Sequence, residues 1–312
     1  MVNIGYFLSC EEFGPRELVR QAKLAEQAGF ERLWISDHFH PWNAEQGNSP
    51  FVWSVIGALS EAVSLPITTA VTCPTVRFHP AIIAQAAATA AVQLEGRFTL
   101  GVGSGEALNE HILGDPWPSV GVRLAMLEEA VELIRLLHRG EQVSFHGEHY
   151  QVQDAQIWTL PDQPVPIYIS GFGPQATELA ARIGDGYCTA SPDPELVGLF
   201  RKNGDPSRPV QGGVKVCRGQ ALAERAPPRP TRADPAATPG LRRRVLVGVA
   251  RGGRRADRLR AGPAAASASH PTLPGRELRR DLRAADRAGS RGVLPRLVGE
   301  GAPRTGRPMT AL

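Results

Sequence analysis

The first 217 residues of this 312-residue chain predict an α/β fold, a (β/α)₈ barrel of parallel strands. Short apolar runs with strand character alternate with longer segments whose apolar residues recur at helical spacing. Seven such strands follow one another and each of the first six is followed by a helix, which is typical of a parallel sheet covered by helices. An open doubly wound sheet is the alternative fold.

Each element is predicted from the spacing of its apolar residues and from the proline or glycine at its ends. The first strand covers 3–9, and its helix begins at Pro15, where the missing N–H of proline does no harm, and stops at Gly29. A hairpin is expected over 143–158, with its turn at His146-Gly147. The other predicted strands cover 32–37, 66–72, 98–103, 165–170, 186–190 and 210–216, and the other predicted helices cover 50–63, 80–94, 121–138, a stretch from residue 174, and 194–202.

The composition of the whole chain is that of a globular protein. Hydrophobic residues make up 42% and charged residues 21%. We find no apolar run of the roughly 18 residues that a membrane helix needs, and the first residues lack the basic and apolar regions of a signal peptide. The cysteines at 10, 73, 188 and 217 fit no zinc or redox spacing. We therefore expect a cytoplasmic protein with reduced cysteines and no membrane partner.

The composition changes abruptly after residue 217. Residues 218–312 contain 21 arginines and no aromatic residue, isoleucine or lysine, and their net charge is +14 against −10 for residues 1–217. A segment so poor in large apolar groups cannot bury enough surface to offset its ordering entropy. We therefore divide the chain into a barrel domain, 1–217, and an Arg/Ala/Pro/Gly-rich tail, 218–312, that is disordered or out of frame.

Three interpretations of the tail compete: a basic arm for nucleic acid, a solvated linker, and an out-of-frame translation of a GC-rich gene. Arms that bind nucleic acid mix lysine with arginine and often add aromatic residues. This tail has neither lysine nor aromatic residues. Arginine, alanine, glycine and proline have GC-rich codons, which favours the frame error. We therefore expect no nucleic-acid partner and an incomplete barrel, with strands one to seven present and the eighth unit missing, so that two sheet edges stay open.

Chemistry in a parallel barrel belongs at the carboxyl ends of the strands. His38 follows the second strand and could donate or accept a proton near neutral pH, Asp37 beside it could set its orientation, and Trp42 offers a flat apolar wall. A surface loop with a stray histidine is the alternative. His38 and His40 could also form a metal pair, but later strand ends lack further ligands, so no metal is expected.

Two further strand ends carry unusual residues. The glycines in 101–105 do not follow the dinucleotide fingerprint. Glu106, directly after them, could have a raised pKa and act as an acid, or could merely cap a helix. Gly173 and Pro174 open a helix after the fifth strand, where free backbone N–H groups suit a phosphate. A plain strand-to-helix turn is the alternative there.

Three motifs at strand ends together resemble one family. The segments Ser-Asp-His-Phe-His-Pro-Trp at 36–42, Val-Thr-Cys-Pro-Thr at 71–75 and Gly-Val-Gly-Ser-Gly-Glu-Ala-Leu-Asn-Glu at 101–110 resemble the luciferase-like barrel oxidoreductases that use the deazaflavin coenzyme F420, in the branch of the glucose-6-phosphate dehydrogenases. The resemblance runs from about residue 3 to Cys217. It implies hydride transfer between F420 and a small-molecule substrate, and it allows a homodimer.

The resemblance also implies roles for individual residues. His38 matches the active-site histidine near the substrate hydroxyl, Glu106 matches its acidic partner in proton transfer, and Trp42 matches the tryptophan that walls the site. Ala70-Val71 match the place of a cis peptide bond that supports the coenzyme ring. The full set of coenzyme contacts implied by the motifs is Asp37, Ala70, Val71, Cys73, Asn109, Gly173 and Pro174.

One position departs from the sugar-phosphate branch. Its members carry a lysine after the sixth strand for the substrate phosphate, and this chain has Asp193 near that place. A carboxylate there would repel a phosphate, which favours a small uncharged alcohol or carbonyl substrate. An FMN-dependent luciferase-like monooxygenase and an inactive truncated product are the alternative functions.

Overall fold

A computed structural model describes residues 2–216 and 244–250, with residues 215–216 and 244–250 described by their backbone alone. The strands are β1 (Val2–Leu8), β2 (Arg32–Ile35), β3 (Ile67–Thr69), β4 (Phe98–Val102), β5 (Val143–His146), β6 (Gln151–Ala155), β7 (Ile167–Ser170), β8 (Gly186–Thr189), β9 (Val210–Val216) and β10 (Arg244–Ala250). The helices are α1 (Pro15–Gln27), α2 (Val52–Ser60), α3 (Pro80–Gln93), α4 (Ala107–Glu110), α5 (Val120–Leu137), α6 (Pro174–Ile183) and α7 (Pro194–Asn203), and a 3₁₀ turn covers His111–Leu113.

The main sheet closes into a barrel with the strand order β1-β10-β9-β8-β7-β4-β3-β2. Seven of these strands, β1 to β4 and β7 to β9, pair in parallel with one another. The antiparallel hairpin of β5 and β6 lies between β4 and β7 in the chain and outside the barrel sheet. The predicted α/β barrel with seven parallel strands is therefore confirmed, and so is the predicted hairpin.

The last strand of the barrel differs from the expectation. β10 lies antiparallel to β1 on one side and to β9 on the other, so the expectation of two open sheet edges was wrong. Residues 244–250, Arg-Val-Leu-Val-Gly-Val-Ala, are rich in β-branched residues and supply the missing edge partner, a pattern that the average composition of the tail concealed. The strand is not an eighth parallel βα unit.

The rest of the predicted tail, 218–243 and 251–312, lies outside the described residues, so its disorder and its reading frame stay predictions. Every described residue belongs to one compact unit that spans Met1–Ala256. The domain boundary at residue 217 likewise stays a prediction. None of the helices in the described part of the chain is both long and apolar enough to cross a membrane.

Alternation along the strands builds two apolar layers. On β2, Leu33 and Ile35 belong to the large core between the sheet and the helices, whereas Trp34 belongs to a smaller cluster with Tyr168 and Cys188. Parity places this smaller cluster inside the barrel. A single-residue shift of the strand would exchange the two faces, so burial on both sides determines the register.

A buried polar chain joins non-adjacent strands inside the barrel. Trp34 Nε1 on β2 donates to Gln211 Oε1 on β9, and Gln211 Nε2 donates to Thr68 Oγ1 on β3 over 3.4 Å. All three side chains are buried. The indole N–H and the amide therefore have partners, as buried polar groups require.

Gly101 on β4 provides a test of the barrel packing. A Cβ at this position would lie 1.9 Å from the carbonyl oxygen of Thr69 on the neighbouring strand. We expect Gly101→Ala to lower the free energy of unfolding by about 3 kcal/mol or more, because backbone atoms cannot give way like a flexible side chain. Urea unfolding followed by circular dichroism measures the change.

Gly121, in the first turn of α5, is the matched control. A Cβ there would meet nothing within 4 Å, and its φ is not in the left-handed region. Gly121→Ala should be neutral or stabilising by less than about 1 kcal/mol. Equal unfolding midpoints for the two variants would contradict the described packing of β3 against β4.

Candidate active site

The candidate site lies at the carboxyl rim, the edge of the barrel at which the parallel strands end. Four loops contribute its charged and aromatic side chains, and each directly follows one of the strands β1 to β4. Parallel strands bring the loops at their carboxyl ends to the same edge of a barrel. The first three motifs that the sequence singled out therefore lie on one edge of the barrel.

His38 follows β2 and is largely buried, with 12% of its side chain exposed. Its Nδ1 lies 3.1 Å from Oε1 of Glu11, without the alignment of a hydrogen bond. The ring of Trp42 meets the imidazole edge-on at a centroid distance of 5.1 Å. The backbone carbonyl of His38 accepts a hydrogen bond of 2.6 Å from Ser49 Oγ, which holds the loop.

Glu11 is the site residue that sequence reasoning missed. It follows β1, its side chain is buried, and its Oε2 accepts hydrogen bonds from Ser9 Oγ at 2.9 Å and Ser36 Oγ at 2.7 Å. Ser36 Oγ in turn accepts from the backbone N–H of Cys10 at 2.9 Å. The sequence signal that could have found Glu11 was its position just after the first strand, because the carboxyl end of each parallel strand lies at the same rim of the barrel.

Glu106 completes an acidic pair around His38. It occupies the position before α4 but makes no side-chain capping bond, and its Oε2 is buried without a hydrogen-bond partner among the described residues. Burial raises the pKa of Glu106, the nearby His38 opposes this rise, and Glu11 adds to it. Because both His38 and Glu11 influence the pKa of Glu106, we group these three residues as the acid–imidazole cluster.

Asp37 lies in a second buried network of charged groups. Its Oδ2 accepts from Thr72 Oγ1 at 2.8 Å and its Oδ1 accepts from Arg77 Nη2 at 3.1 Å. Arg77 is 6% exposed, and Glu110 accepts its backbone N–H at 2.7 Å and lies 3.5 Å from its Nε. Burial raises the pKa of Glu110, and the contacts of Arg77 oppose the rise. The network joins the loops after β2, β3 and β4.

Asn109 on α4 joins the same loops through backbone groups. Its buried Oδ1 accepts from the N–H groups of Phe39 at 2.9 Å and His40 at 3.1 Å. These two donors directly follow His38 in the chain. The amide oxygen of Asn109 therefore holds the loop that carries the imidazole.

The segment after β3 has the backbone form that the resemblance implied. The peptide bond between Ala70 and Val71 is cis. A Cβ on Gly103 would lie 2.9 Å from Val71 Cγ2, so glycine lets the end of β4 approach this segment. Cys73 is buried with its Sγ 3.0 Å from Thr75 Oγ1, and burial raises the pKa of Cys73 to about 12. Cys73 therefore stays a neutral thiol at physiological pH.

Gly173 and Pro174 form the start of α6 after β7, on the same rim. Gly173 is in extended conformation and a Cβ there would meet nothing within 4 Å, which leaves room beside the first turn of the helix. Tyr187 Oη donates a hydrogen bond of 2.6 Å to the carbonyl oxygen of Gly171 and so holds the turn that precedes α6. The first backbone N–H groups of α6 are available there to an anion.

His40 does not join His38. Its ring stacks on that of His111 at a centroid distance of 5.4 Å. Among residues 2–216 and 244–250, no group of three or more His, Cys, Asp or Glu side chains could hold a metal ion.

A parallel barrel with coupled acidic and imidazole groups at its carboxyl rim has the arrangement in which barrel enzymes carry their active sites. The family model described as luciferase-like monooxygenase matches residues 2–202. This chain therefore belongs to the luciferase-like monooxygenase family.

Two curated relatives are similar to this chain in sequence. The chain is 45% identical over 198 residues to an F420-dependent glucose-6-phosphate dehydrogenase of Beutenbergia cavernae, and 47% identical over 197 residues to one of Microbacterium testaceum. The first match covers 63% of this chain and the second 62%, and each covers 59% of the relative. The chain thus spans about three fifths of the length of these curated relatives.

A solved structure is similar as well. An F420-dependent secondary alcohol dehydrogenase in complex with an F420-acetone adduct superposes with a TM-score of 0.63 and 38% identity, over 65% of this chain and 66% of that one.

The raised pKa of Glu106 predicts a pH-dependent stability. The folded state keeps the proton at pH values at which the unfolded carboxyl has lost it, so this group destabilises the fold increasingly as the pH rises above its ordinary pKa of 4.5. Glu106→Gln cannot ionise. The difference in Tm between this variant and the unmodified chain should therefore grow in favour of the variant as the pH rises, and level off above the folded pKa.

Thermal unfolding between about pH 4 and 9, a range that brackets this ordinary pKa, measures the difference when it is followed by circular dichroism. Glu141→Gln is the control, because Glu141 is exposed. Its difference from the unmodified chain should not change with pH. A Glu106→Gln difference that is equally flat would show that the carboxyl is not desolvated.

Proposed function

We propose that this chain is an F420-dependent oxidoreductase that transfers a hydride between the deazaflavin and a small alcohol or carbonyl substrate. The observation that carries the proposal is the acid–imidazole cluster, in which His38 Nδ1 lies 3.1 Å from Glu11 and Glu106 has a buried Oε2 without a hydrogen-bond partner among the described residues. Removal of a hydride from an alcohol requires that the hydroxyl proton leave as well, and such a cluster can accept it. The F420-dependent relatives support F420 as the coenzyme.

The residues at the rim fit a bound deazaflavin. Glu106 Oε2 is buried and has no hydrogen-bond partner among the described residues, a costly state that a ligand donor would relieve. The open space beside Gly173 at the start of α6 suits a phosphate group of the coenzyme. When bound, F420 would supply the ring carbon that accepts or gives the hydride.

His38 is proposed as the group that takes the substrate hydroxyl proton in oxidation and returns it in reduction. Glu11 faces Nδ1, so Nε2 is the nitrogen left to exchange the proton. The carboxylate holds the ring in place and stabilises the positive charge that it gains. Trp42, with 57% of its surface exposed and its ring edge-on to the imidazole, is proposed as a wall of the substrate site.

Glu106 is proposed as the second proton-transfer group. Its raised pKa keeps a larger fraction of the carboxyl protonated near neutral pH than an exposed glutamate would have. A protonated Glu106 can donate to a ring nitrogen of the coenzyme. An ionised Glu106 can later take the proton back.

The proposed coenzyme contacts fall into two groups. Ala70, Val71 and Cys73 line the rim after β3, and Gly173 and Pro174 open α6. Asp37 and Asn109 form the second group, and their side-chain oxygens already accept hydrogen bonds from protein groups. We propose that these two residues hold the loops around the coenzyme in addition to any contact with it.

The proposed substrate is uncharged. Asp193 Oδ1 accepts the backbone N–H of Glu195 at 2.8 Å and so caps α7, which keeps the carboxylate near the place where the sugar-phosphate branch has a lysine. An ionised carboxylate there opposes binding of a phosphate. The similar secondary alcohol dehydrogenase, solved with an F420-acetone adduct, supports a small alcohol–ketone pair.

Two alternatives are kept. The description of the family as monooxygenases favours an FMN-dependent enzyme as the second candidate. Because the chain spans about three fifths of its relatives, an inactive product is the third.

His38→Ala and Glu106→Gln test the catalytic assignment. Each should lower kcat by about 10²- to 10⁴-fold, as loss of a proton-transfer group does, and leave the F420 dissociation constant within about 3-fold. Fluorescence titration with F420 and turnover of 2-propanol measure the two effects. Glu141→Gln, at an exposed position, is the control that should leave both quantities unchanged.

Full turnover in both site variants would remove these residues from the mechanism. Titration of the unmodified chain with FMN separates the coenzymes. Binding of FMN but not F420 would favour the monooxygenase alternative, and binding of neither would favour an inactive product.

The substrate assignment has its own test. The value of kcat/KM should be higher for 2-propanol than for glucose 6-phosphate. Asp193→Asn keeps an oxygen acceptor at the cap of α7 but removes the charge, so it should raise kcat/KM for glucose 6-phosphate by about 5-fold and leave 2-propanol unchanged. Efficient turnover of glucose 6-phosphate by the unmodified chain would contradict the proposal.

A further inference from the structure

The hairpin of β5 and β6 contacts the rim segment after β3 through one buried side chain. Tyr150 lies in the turn that connects β5 to β6, and it is buried. Its Oη donates a hydrogen bond of 2.8 Å to the carbonyl oxygen of Thr75. Its ring meets the ring of His79, which caps α3, edge-on at 5.6 Å. One phenol thus touches both ends of the segment 75–79.

This segment is continuous with the residues assigned to the coenzyme. Thr75 Oγ1 lies 3.0 Å from Cys73 Sγ. Thr72 Oγ1 and Arg77 Nη2 both donate to Asp37. A displacement of the Thr75 carbonyl would therefore also shift Cys73 on one side and the Arg77 network on the other.

The turn of the hairpin, between β5 and β6, is hydrogen-bonded to the helix layer. The carboxylate of Glu129 on α5 accepts the successive backbone N–H groups of Glu148, His149 and Tyr150, at distances from 2.7 to 3.1 Å. A Cβ on Gly147 would lie 2.0 Å from Glu129 Oε1, so only glycine admits this contact. Tyr150 therefore extends from a fixed point. Burial also raises its pKa, so the phenol stays a neutral donor.

We propose that Tyr150 is a positioning residue for the coenzyme, and that the hairpin acts through it as an outer support that holds the segment 72–75 in the form that receives the deazaflavin. The inference rests on the proposed function. Within the described part of the chain, the hydrogen bond and ring contacts of Tyr150 reach neither the acid–imidazole cluster nor the start of α6. Its effect passes through the backbone of Thr75.

Tyr150→Phe removes the hydroxyl and keeps the ring. We expect the F420 dissociation constant to rise about 3- to 10-fold, which corresponds to the loss of one buried hydrogen bond. Amide hydrogen exchange of the peptide that covers 70–79 should be faster by a similar factor in the protein without coenzyme. Tyr6→Phe is the matched control, because Tyr6 is also buried and donates to Gln21 Oε1 at 3.1 Å on the α1 side of β1.

Both variants should lose some thermal stability, and only Tyr150→Phe should weaken F420 binding and loosen 70–79. Unchanged affinity in Tyr150→Phe, or an equal loss of affinity in Tyr6→Phe, would overturn the inference while the proposed function stands. Failure of the unmodified chain to bind F420 would overturn the proposed function and the inference with it.

Discussion

The buried guanidinium of Arg77 is the group on which the rest of the rim depends. It lies between the carboxylates of Asp37 and Glu110, and through them it connects the loops after β2, β3 and β4. Loss of the guanidinium would leave two buried carboxylates without their cation, and breaking a buried ion pair in this way typically costs about 3–5 kcal/mol. The arrangement therefore favours one relative placement of the three loops.

The acid–imidazole cluster is supported by this network and is distinct from it in chemistry. Asp37 is bonded on both carboxylate oxygens, whereas Glu106 keeps a buried oxygen without a partner among the described residues. Adjacent positions in the chain, Asp37 and His38, thus serve different purposes. The carboxylate holds the loops together, and the imidazole faces Glu11 and Trp42. Polar groups whose hydrogen bonds are made within the protein give rigidity, and polar groups that lack such a partner remain available to a ligand.

The outer elements of the barrel extend the same principle to the proposed coenzyme site. The β5–β6 hairpin is an insertion in the alternating pattern, and its antiparallel strands add nothing to the barrel sheet. Its contacts with α5 and with the Thr75 carbonyl give it a place in the support of the rim. β10 closes the sheet on the opposite side of the barrel, between β1 and β9. The four loops of the candidate site thus stand on a closed ring of strands.

The sequence by itself determined the seven parallel strands, their helices and the strand ends at which His38, Glu106 and Gly173 lie, because alternation and punctuation are local properties of the chain. Only the tertiary structure decided the partners of those residues. Glu11 was missed because its importance arises from a 3.1 Å approach to a residue 27 positions away, which no local pattern records. β10 was missed because pairing with two edges depends on where those edges lie. Contacts between distant segments form only when the barrel closes, so the chemistry at its rim is a property of the fold.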